Sequence, residues 1–361
     1  MQRFEREPVS AGSGRRATLT AVAKDAGVSI ATVSKVVNGR TGVSEETRRT
    51  VSDSISRLGY VSLGERQSAV KVLAEATIEV VVQPDDVSNP YLSTLIGGAL
   101  RAASRLNAAI FLRDVASIQE QTPLEWAQAV ARAGRLGVIE VTSGYSPRRE
   151  RALKSVGLPM VLIDPIDVPR TSVPSVGATN WAGAYAATKH LIGLGHQLIR
   201  YVGGPHGAAC DIVRAHGWAA AMSEAGLSAD LATIPHHSYS FEHGLQAGTQ
   251  LLKAPDRPTA VFAGSDISAM GILEAARRLG IQVPEQLSVV GFDDTMLAQT
   301  STPPLTTVRQ PIAEIGATAV SAILRLSRGE IIPAKRMELA TELAIRASCA
   351  PPPSLERNKY Q

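Results

Sequence analysis

The chain has 361 residues, 44% of them hydrophobic, and its 37 Lys and Arg exceed its 33 Asp and Glu by four. Two cysteines are too few for the disulfide framework of a small secreted protein and fit a reducing cytoplasm. No apolar run approaches the length that crosses a bilayer, which excludes a membrane-spanning protein. All of the net positive charge lies in residues 1–66, which hold 11 basic and 7 acidic side chains, so contact with a polyanion is expected there.

Residues 1–17 are predicted to form a disordered arm, because Gly, Ser and Arg recur in them without an apolar pattern. The opening, MQRFEREP, lacks the apolar core of a secretory signal. Together with the low cysteine content, this opening predicts a cytoplasmic protein, associated with the nucleoid if its basic front region binds DNA.

Residues 18–60 are predicted to form three short helices with a tight turn between the first two, the shape of a helix-turn-helix. The residues predicted to cap or end these helices are Thr18, Gly27, Ser29, Gly39, Ser44 and Gly59. Val51, Ile55 and Leu58 are predicted to form the buried stripe of the third helix. The alternative is a generic three-helix cluster with solvated faces. Against it stand the Ala-Gly-Val-Ser turn and the small or polar outer face of the second helix, which suits close approach to bases.

Three stretches resemble the DNA-binding headpiece of the LacI/GalR (lactose-repressor-like) transcriptional regulators: AGVSIATVSKVVN at 26–38, VSEETR at 43–48 and LGY at 58–60. The resemblance implies that the second helix enters the major groove with Ile30, Ala31 and Lys35 facing bases. It implies phosphate-contacting or positioning roles for Leu19 (through its backbone), Ser29, Thr32, Ser34, Asn38 and Thr47. In physical terms, Lys35 can donate to guanine and Ala31 can meet a thymine methyl group.

Residues 61–75 are predicted to form a hinge or linker. Members of the family carry a Pro-Asn pair here, followed by a helix whose leucine wedges into the minor groove. In this chain Ser62 and Leu63 occupy the Pro-Asn positions and Ala69 occupies the leucine position. Three alternatives remain: Ala69 inserts weakly, Val70 or Leu73 inserts instead, or the segment is a plain flexible linker. If Ala69 is the wedge, we expect Ala69→Leu to tighten operator binding in a titration at fixed salt.

Residues 76–346 are predicted to form a two-lobed α/β domain with parallel sheets, similar to periplasmic binding proteins, because short β-rich runs alternate with helical stretches. The predicted strands are 78–83, 109–113, 137–142, 160–164, 198–203, 260–264 and 287–292. The predicted helices between them are 91–106, 181–194, 213–225, 244–252 and 267–279. The lobes are expected at about 76–178 plus 309–346, and at 179–308. A helix at 312–328 and a strand at 337–345 are expected to return to the first lobe. Residues 347–361 are expected to form a flexible tail.

Several loops extend the resemblance through the large domain, among them SNPY at 88–91, VGATN at 176–180 and PPLTTVRQ at 303–310. Carried over by resemblance, the effector cleft contains Asp164, Arg214, Tyr239, Ser265, Asp266 and Asp293. An arginine and carboxylates can bind vicinal hydroxyls through charge-assisted hydrogen bonds, and a tyrosine can stack on a sugar ring.

Each of these residues has a plainer interpretation, which also stays open. Asp266 is about as well explained as the N-cap of the following helix, and the plainer interpretation of Asp293 and Asp294 is that one of them only holds its loop. Arg214 fits an ordinary surface or interdomain arginine, and Tyr239 fits a packed core residue. His196, at a predicted helix end, is interpreted as structural, and Cys210, on a predicted loop near the cleft, has a small chance of sensing thiols.

The leading hypothesis is a sequence-specific DNA-binding transcriptional regulator, most simply a repressor. It would bind a near-palindromic operator as a homodimer and respond to a small-molecule effector, a mono- or oligosaccharide or other sugar. We expect no catalytic residues, no metal and no cofactor. The alternatives are a solute-binding protein of a sugar transport system and an α/β enzyme that uses Arg214 and Asp293. The second lacks a nucleophile–base pair, and GGPHG at 203–207 matches no phosphate-binding fingerprint.

Overall fold

The computed structural model describes residues 18–37, 41–60, 77–142, 144–167, 173–332 and 334–353. The chain divides into two compact units, Met1–Leu73 and Ala74–Gln361, and each is described by itself. The predicted arm, the predicted hinge, Asn38 and Ala69 lie outside the described residues. Within the described ranges, no helix is both long enough and apolar enough to cross a membrane.

The small unit contains the three predicted helices, α1 Leu19–Asp25, α2 Ile30–Val37 and α3 Glu45–Leu58. The predicted caps are present at the start of α1 and at the end of α3. Thr18 accepts from the Ala21 amide, and Gly59 ends α3 with a φ of 61°. A left-handed φ at a helix C-terminus is the conformation that glycine adopts without a Cβ penalty.

The core of the small unit is a cluster of apolar side chains from all three helices. Its fully buried members are Val22, Ala23, Val33 and Val51. The prediction that Leu58 is buried is wrong, because Leu58 is 36% exposed.

A polar side chain occupies the inward position that the sequence pattern assigned to apolar residues of α3. Ser54 is fully buried and donates to Asp25 Oδ2 at 2.6 Å. Arg57 also donates to this carboxylate oxygen, at 2.7 Å. The hydrogen bonds satisfy the buried hydroxyl and join α1 to α3, which apolar periodicity alone does not reveal.

The first lobe of the large unit contains six strands: β1 Thr77–Val82, β2 Ala109–Asp114, β3 Arg135–Val141, β4 Met160–Ile163, β5 Ser175–Ala178 and β10 Arg336–Leu339. They form one parallel sheet in the order β10-β5-β4-β3-β1-β2. Its helices are α4 Pro90–Arg105, α5 Val115–Gln119, α6 Pro123–Arg132, α7 Pro147–Ser155 and α13 Ile312–Ser327. A short 3-10 helix spans Pro84–Ser88. Helices cover both faces of the sheet, so β1 is buried along its whole length.

The second lobe contains five strands: β6 Ile199–Val202, β7 Ala260–Ala263, β8 Ser288–Asp293, β9 Thr306–Arg309 and β11 Glu342–Ala344. Their order is β11-β9-β8-β7-β6, and β11 alone pairs antiparallel. The helices of this lobe are α8 Asn180–Gly193, α9 Ala209–Glu224, α10 Phe241–Lys253, α11 Asp266–Arg278 and α12 Met296–Thr300, with a 3-10 turn at Leu231–Thr233. Apolar clusters fill both faces of this sheet, as in the first lobe.

Three crossovers connect the lobes, after β5, after β9 and after β10. Two of them are joined directly, because the Thr341 amide donates to Thr179 Oγ1 at 3.0 Å. The helix predicted at 312–328 lies in the first lobe, as expected. The single strand predicted at 337–345 is wrong, since the chain forms β10 in the first lobe and then β11 in the second.

The predicted flexible tail is wrong for its first residues, because the segment from 347 to 350 is built into the second lobe. Ser348 is fully buried, donates to the Val289 carbonyl at 2.6 Å and accepts from the Thr306 amide at 2.8 Å. The segment therefore continues the hydrogen bonding of β8 and β9, and its polar groups are satisfied inside the protein. Residues 354–361 lie outside the described part of the chain.

Candidate functional site

The small unit carries a shallow polar groove, here called the recognition groove, between the N-termini of α2 and α3. It is lined by Val28, Ser29, Thr32, Lys35, Gly42, Val43, Ser44 and Thr47. Four of the residues assigned to DNA by resemblance, Ser29, Thr32, Lys35 and Thr47, therefore lie together. Lys35 is exposed and supplies a positive charge.

Hydroxyl pairs build both ends of the recognition groove. Ser29 Oγ accepts from the Thr32 amide at 3.1 Å and lies 2.9 Å from Thr32 Oγ1. Ser44 repeats this arrangement at the start of α3, where it accepts from the Thr47 amide at 3.3 Å. Two capped helix N-termini with nearby hydroxyl donors and a lysine are suited to phosphate oxygens, because the helix dipole favours negative charge there.

The remaining residues assigned to DNA occupy different environments. Ile30 is 49% exposed at the start of α2, and Ala31 beside it is also exposed. A half-exposed apolar side chain outside the apolar cluster of its unit is available for contact with a base edge. Leu19 packs partly into the core and Ser34 is partly buried, so both fit positioning roles better than base contact.

The large unit contains a cavity of about 260 Å³ between its lobes, here called the interlobe cavity. Its charged lining residues are Asp86, Asp164, Arg214 and Asp293. The first two come from the first lobe and the last two from the second. Because ligands of parallel α/β sheets bind beyond the carboxyl ends of the strands, this location is the expected one.

Three residues at strand ends of this cavity have a positive φ that side chains rarely adopt. Thr142 follows β3 with a φ of 46°, Asp164 follows β4 with a φ of 40°, and Asp293 ends β8 with a φ of 119°. Such conformations cost free energy, on the order of 1–3 kcal/mol each, and concentrate at functional sites. Here they turn two carboxylates toward the cavity.

Arg214 lies on α9 with its guanidinium held in a fixed place. It is 4% exposed, its Nε donates to Asn180 Oδ1 at 2.8 Å, and its Nη1 donates to the Gly264 carbonyl at 2.6 Å. The guanidinium carbon lies 3.8 Å from the centroid of the Phe292 ring, within cation–π range. Arg214 is therefore a preorganised cation at the cavity, not a surface arginine.

Asp164 is hydrogen-bonded to a tyrosine that also lines the cavity from the first lobe. The Tyr91 hydroxyl, near the N-terminus of α4, donates to Asp164 Oδ2. Loss of solvation raises the pKa of Asp164, and the hydrogen bond from Tyr91 and the charge of Arg214 only partly oppose this shift. The same environment raises the pKa of Tyr91 well above its ordinary value, so the hydroxyl remains a donor.

Asp293 is held from the crossover that follows β9. Gln310 Nε2 donates to Asp293 Oδ1 at 2.6 Å, and the Asp266 amide donates to the same carboxylate. Burial raises the pKa of Asp293 to about 7, against the opposing charge of Arg214. The residue therefore connects the cavity to a segment that passes between the lobes.

Tyr239 forms part of the second-lobe wall. Its ring lies directly over Gly204, where a Cβ would approach the ring carbon Cε1 to 2.3 Å, so only glycine fits. Its hydroxyl donates to Asp211 Oδ1 at 2.9 Å, and the guanidinium of Arg214 lies 5.5 Å from its ring centroid. His236 Nδ1 lies 3.0 Å from the other Asp211 oxygen. A fixed aromatic face beside a guanidinium is suited to the apolar face of a sugar ring.

Comparison with known proteins identifies both units. Residues 18–62 match the family described as bacterial regulatory proteins of the lacI family, and residues 188–349 match the periplasmic binding protein-like domain. The chain is 32% identical over 339 residues to the HTH-type transcriptional regulator DegA of Bacillus subtilis (strain 168), covering 93% of this chain and 99% of DegA.

The chain belongs to the LacI family.

Two solved structures of LacI-family regulators are similar over almost the whole chain. One is the transcriptional regulator CelR–cellobiose complex, with a TM-score of 0.69 and 30% identity over 92% of this chain and 100% of that one. The other is the lac repressor dimer bound to operator and the anti-inducer ONPF, with a TM-score of 0.71 and 26% identity over 93% and 100%. The chain is therefore a DNA-binding transcriptional regulator, and the helix-turn-helix match favours this function over a transport solute-binding protein.

In this LacI-family regulator, Asp266, which the resemblance placed in the cleft, and Asp294, which had the alternative of holding its loop, both lie outside the cavity lining. Asp266 is fully buried and is absent from the cavity lining. It accepts from the Thr295 amide at 2.7 Å and from Thr307 Oγ1 at 2.6 Å. Asp294 pairs with Arg309 at 2.6 Å and with Arg346 at 2.5 Å, so it is the member of its pair that holds the loop.

Three other residues considered from the sequence, Ser265, Cys210 and His196, lie in different environments. Ser265 lines the cavity and also caps α11 by accepting from the Ser268 amide at 3.2 Å. Cys210 lines the cavity from helix α9, not from a loop, and burial raises the pKa of its thiol to about 11, which disfavours thiol sensing. His196 is buried against Thr259 and the Ala350 carbonyl, and burial lowers its pKa, so it is structural and neutral.

The sequence analysis missed several residues that line the cavity or hold its charged side chains. Tyr91, Asn180 and Gln310 received no role, although each lies in a motif that carried the family resemblance. Asp86 and Thr142, whose side chains bond at 2.9 Å, were not considered at all. A sharper signal was available, because each of these residues follows a strand or begins a helix.

Proposed function

We propose that this LacI-family regulator is a repressor that binds a near-palindromic operator as a homodimer and that a sugar bound in the interlobe cavity changes its operator affinity. The single observation that carries the proposal is the combination in one chain of the recognition groove and the interlobe cavity. The first offers two helix N-termini and Lys35 to a polyanion. The second offers Arg214 and two aspartates to a ligand with hydroxyl groups.

The residues assigned by resemblance keep their proposed roles in this mechanism. Ile30, Ala31 and Lys35 read base edges, and Ser29, Thr32 and Thr47 bind phosphates. In the cavity, Asp164, Arg214 and Asp293 bind hydroxyls, and Tyr239 stacks on the ring. Ser265 contributes a hydroxyl beside them. The bound sugar of the CelR structure supports the choice of ligand class.

A dimer is supported by an unpartnered apolar surface on the first lobe. Leu100 of α4, Leu106 directly after α4 and Leu112 of β2 are 44 to 49% exposed and lie on neighbouring elements. Edge strand β2 also leaves one row of backbone groups without a neighbouring strand in the described sheet. A homodimer contains two copies of helix α2 for two operator half-sites, and the lac repressor neighbour was solved as a dimer bound to its operator.

We also infer that the chain acts in the cytoplasm, where the DNA is, and that it catalyses no reaction. The second inference rests on the chemistry of the cavity. The Ser265 hydroxyl is engaged with Ser268, and the raised pKa of Cys210 keeps its thiol protonated. The relatives named above are regulators.

The proposal is tested by selecting an operator from random duplexes with the purified full-length chain and measuring its binding between 50 and 200 mM salt. Phosphate contacts by a dimer predict a steep linear fall of log affinity with log salt, with a slope of about −0.9 for each neutralised phosphate. Selected sequences should be near-palindromic, and addition of a bound sugar should change operator affinity. A flat salt slope together with no enriched sequence would contradict the proposal.

A further inference from the structure

The size of the interlobe cavity limits what it accepts. A volume of about 260 Å³ lies below the usual range of roughly 300–1,000 Å³ for small-molecule sites. Its uncharged lining contains apolar side chains, among them Leu92 and Ile166, and polar ones, among them Gln83 and Asn89. A cavity of this size with one aromatic face, Tyr239, matches the dimensions of a single sugar ring.

The charge of the cavity limits the ligand further. Three carboxylates line it, Asp86, Asp164 and Asp293, against one cation, Arg214. Protonation of a carboxyl group removes a negative charge but supplies no positive one, so no additional counter-ion for an anion appears at any pH near neutral. A phosphate or carboxylate in the cavity would therefore face like charges in a poorly solvated space.

Arg214, the one cation among the lining residues, is already held by hydrogen bonds to the protein. The Nε and Nη1 groups of Arg214 donate to Asn180 and Gly264, and its plane lies against Phe292 at 3.8 Å. These contacts hold the guanidinium in place and occupy two of its five N–H donors, so it cannot move toward a ligand to add to its share of the binding.

The carboxylates, by contrast, have acceptor capacity to offer. A carboxylate has about four lone-pair positions. Asp164 receives a hydrogen bond from Tyr91, and Asp293 receives one from Gln310 and one from the Asp266 amide. Both carboxylates therefore keep acceptor positions that the hydroxyl donors of a ligand can fill.

We propose that the effector is an uncharged polyol of one ring, such as a free monosaccharide, and that the cavity excludes phosphate esters of the same sugar and disaccharides. This inference rests on the proposed function, because it names the class of ligand for the site assigned there. It also separates this chain from the CelR relative, whose structure contains the disaccharide cellobiose.

The test is a thermal-shift panel on the full chain with matched ligands at equal concentration. The panel contains free aldohexoses, aldopentoses and ketohexoses, the 6- or 5-phosphate of each, disaccharides including cellobiose, and inorganic phosphate as the anion control. Only a ligand that binds the folded state raises the melting temperature. We expect at least one free monosaccharide to raise it, and its phosphate ester to bind at least roughly tenfold more weakly.

The inference is overturned if no free monosaccharide gives a shift, or if a phosphate ester or a disaccharide shifts more than its parent sugar. Operator selection on the same preparation keeps this failure separate from failure of the proposed function. A chain that binds its operator but prefers a phosphate ester refutes the ligand class alone. A chain that binds no specific DNA refutes the proposed function, whatever the panel shows.

A charge variant tests the cause of the exclusion. Asp86→Asn removes one carboxylate but retains an acceptor oxygen for the Thr142 hydroxyl, which now donates at 2.9 Å. We expect the affinity of the ester relative to its parent sugar to rise roughly tenfold. The matched control is Glu120→Gln, an exposed position outside the cavity lining, which makes the same change in net charge and should leave the ratio unchanged. An unchanged ratio in Asp86→Asn would refute electrostatic exclusion.

Discussion

The recognition groove is formed by residues close together in the sequence, whereas the interlobe cavity is formed by residues from distant parts of the chain. The groove comes from one continuous stretch between Val28 and Thr47, and its hydroxyl pairs are exposed local contacts three residues apart. The cavity brings together residues from Gln83 to Asp293, with buried charges and three strained strand ends. The groove presents polar groups that are solvated by water, whereas the charges of the cavity are stabilised by hydrogen bonds and charges of the surrounding protein.

This difference determines what a substitution does at each site. A polar side chain in the groove acts on DNA and leaves little behind in the protein when it is removed. A charged side chain in the cavity supports other buried groups, so its removal leaves them without partners and costs both binding and stability. Substitutions that separate these two outcomes test the comparison.

The largest expected effect is that of Arg214→Ala. Its loss removes the cation of the cavity and leaves Asn180 and the Gly264 carbonyl without their donor. Truncating one member of a buried hydrogen-bonded charge network costs about 2–5 kcal/mol, so affinity for the best sugar should fall by at least about 30-fold. Calorimetric titration measures the affinity, and thermal unfolding confirms that the variant folds.

The matched control is Arg200→Ala, because Arg200 pairs with Asp256 outside the cavity lining. It should bind the sugar as the parent does. Arg214→Lys keeps the charge but loses the planar geometry, and we expect intermediate affinity. Equal affinities of the parent chain and Arg214→Ala would show that the guanidinium does not contact the ligand.

In the groove, Lys35→Ala should weaken operator binding without unfolding the small unit. A lysine that contacts a base edge is worth about 1–3 kcal/mol, or roughly 5- to 150-fold in affinity, and its loss should relax specificity at one base pair. The measurement is anisotropy with the selected operator and its single-base variants at fixed salt. Lys24→Ala, exposed on α1 and outside the groove, is the control. A uniform loss across all sequences would reassign Lys35 to a phosphate.

The sequence predicted the small unit almost completely because its information is local. Caps, helix-ending glycines and apolar spacing lie within one helical turn of the positions that they determine, as at Thr18 and Gly59. One buried position of α3 was missed because it depends on a long-range polar pair: Ser54 is buried and donates to Asp25, 29 residues away. Apolar periodicity contains no information about such a partner.

In the large unit, too, the sequence pattern predicted local elements better than it predicted contacts between distant residues. Alternating strands and helices predicted parallel sheets and two lobes, but not that the chain would change lobes between Leu339 and Glu342. The resemblance named Arg214, Tyr239 and Asp293, yet it also named Asp266, whose carboxylate is turned away to Thr295 and Thr307. Neighbouring residues of one motif diverge because side-chain direction depends on the tertiary fold.

The buried carboxylate of Asp266 predicts a pH dependence of stability that the groove does not share. Burial, reinforced by the nearby charge of Asp293, raises the pKa of Asp266 to about 8 from an ordinary value of 3.8. As the pH rises from 4 to 8, the unfolded chain loses this proton first, so the folded state becomes progressively less favoured. The melting temperature should fall between pH 5 and pH 8.

Asp266→Asn removes this contribution and should flatten the fall by a few degrees, since each pKa unit corresponds to about 1.4 kcal/mol. An asparagine can still accept from Thr295 and can donate to Thr307. Asp256→Asn, at a position with 67% of its side chain exposed, controls for the change in net charge. Differential scanning calorimetry across the pH series provides the measurement. A steeper fall in Asp266→Asn than in the parent would contradict the sign of the effect.

The smallest effect expected is on the stability of the small unit in Ile30→Ala, and it gives the sharpest test of the comparison. Ile30 is 49% exposed and lies outside the buried core, so truncation should change the free energy of unfolding by no more than about 0.5 kcal/mol. Val33, three residues along the same helix, is fully buried, and Val33→Ala should cost clearly more through lost burial and a cavity. Ile30→Ala should nevertheless weaken operator binding.

Hydrogen exchange of the small unit in the full chain measures the change in stability, and anisotropy measures the change in operator affinity. If Ile30→Ala destabilises the unit as much as Val33→Ala does, the isoleucine is part of the fold and is not held in reserve for a DNA contact.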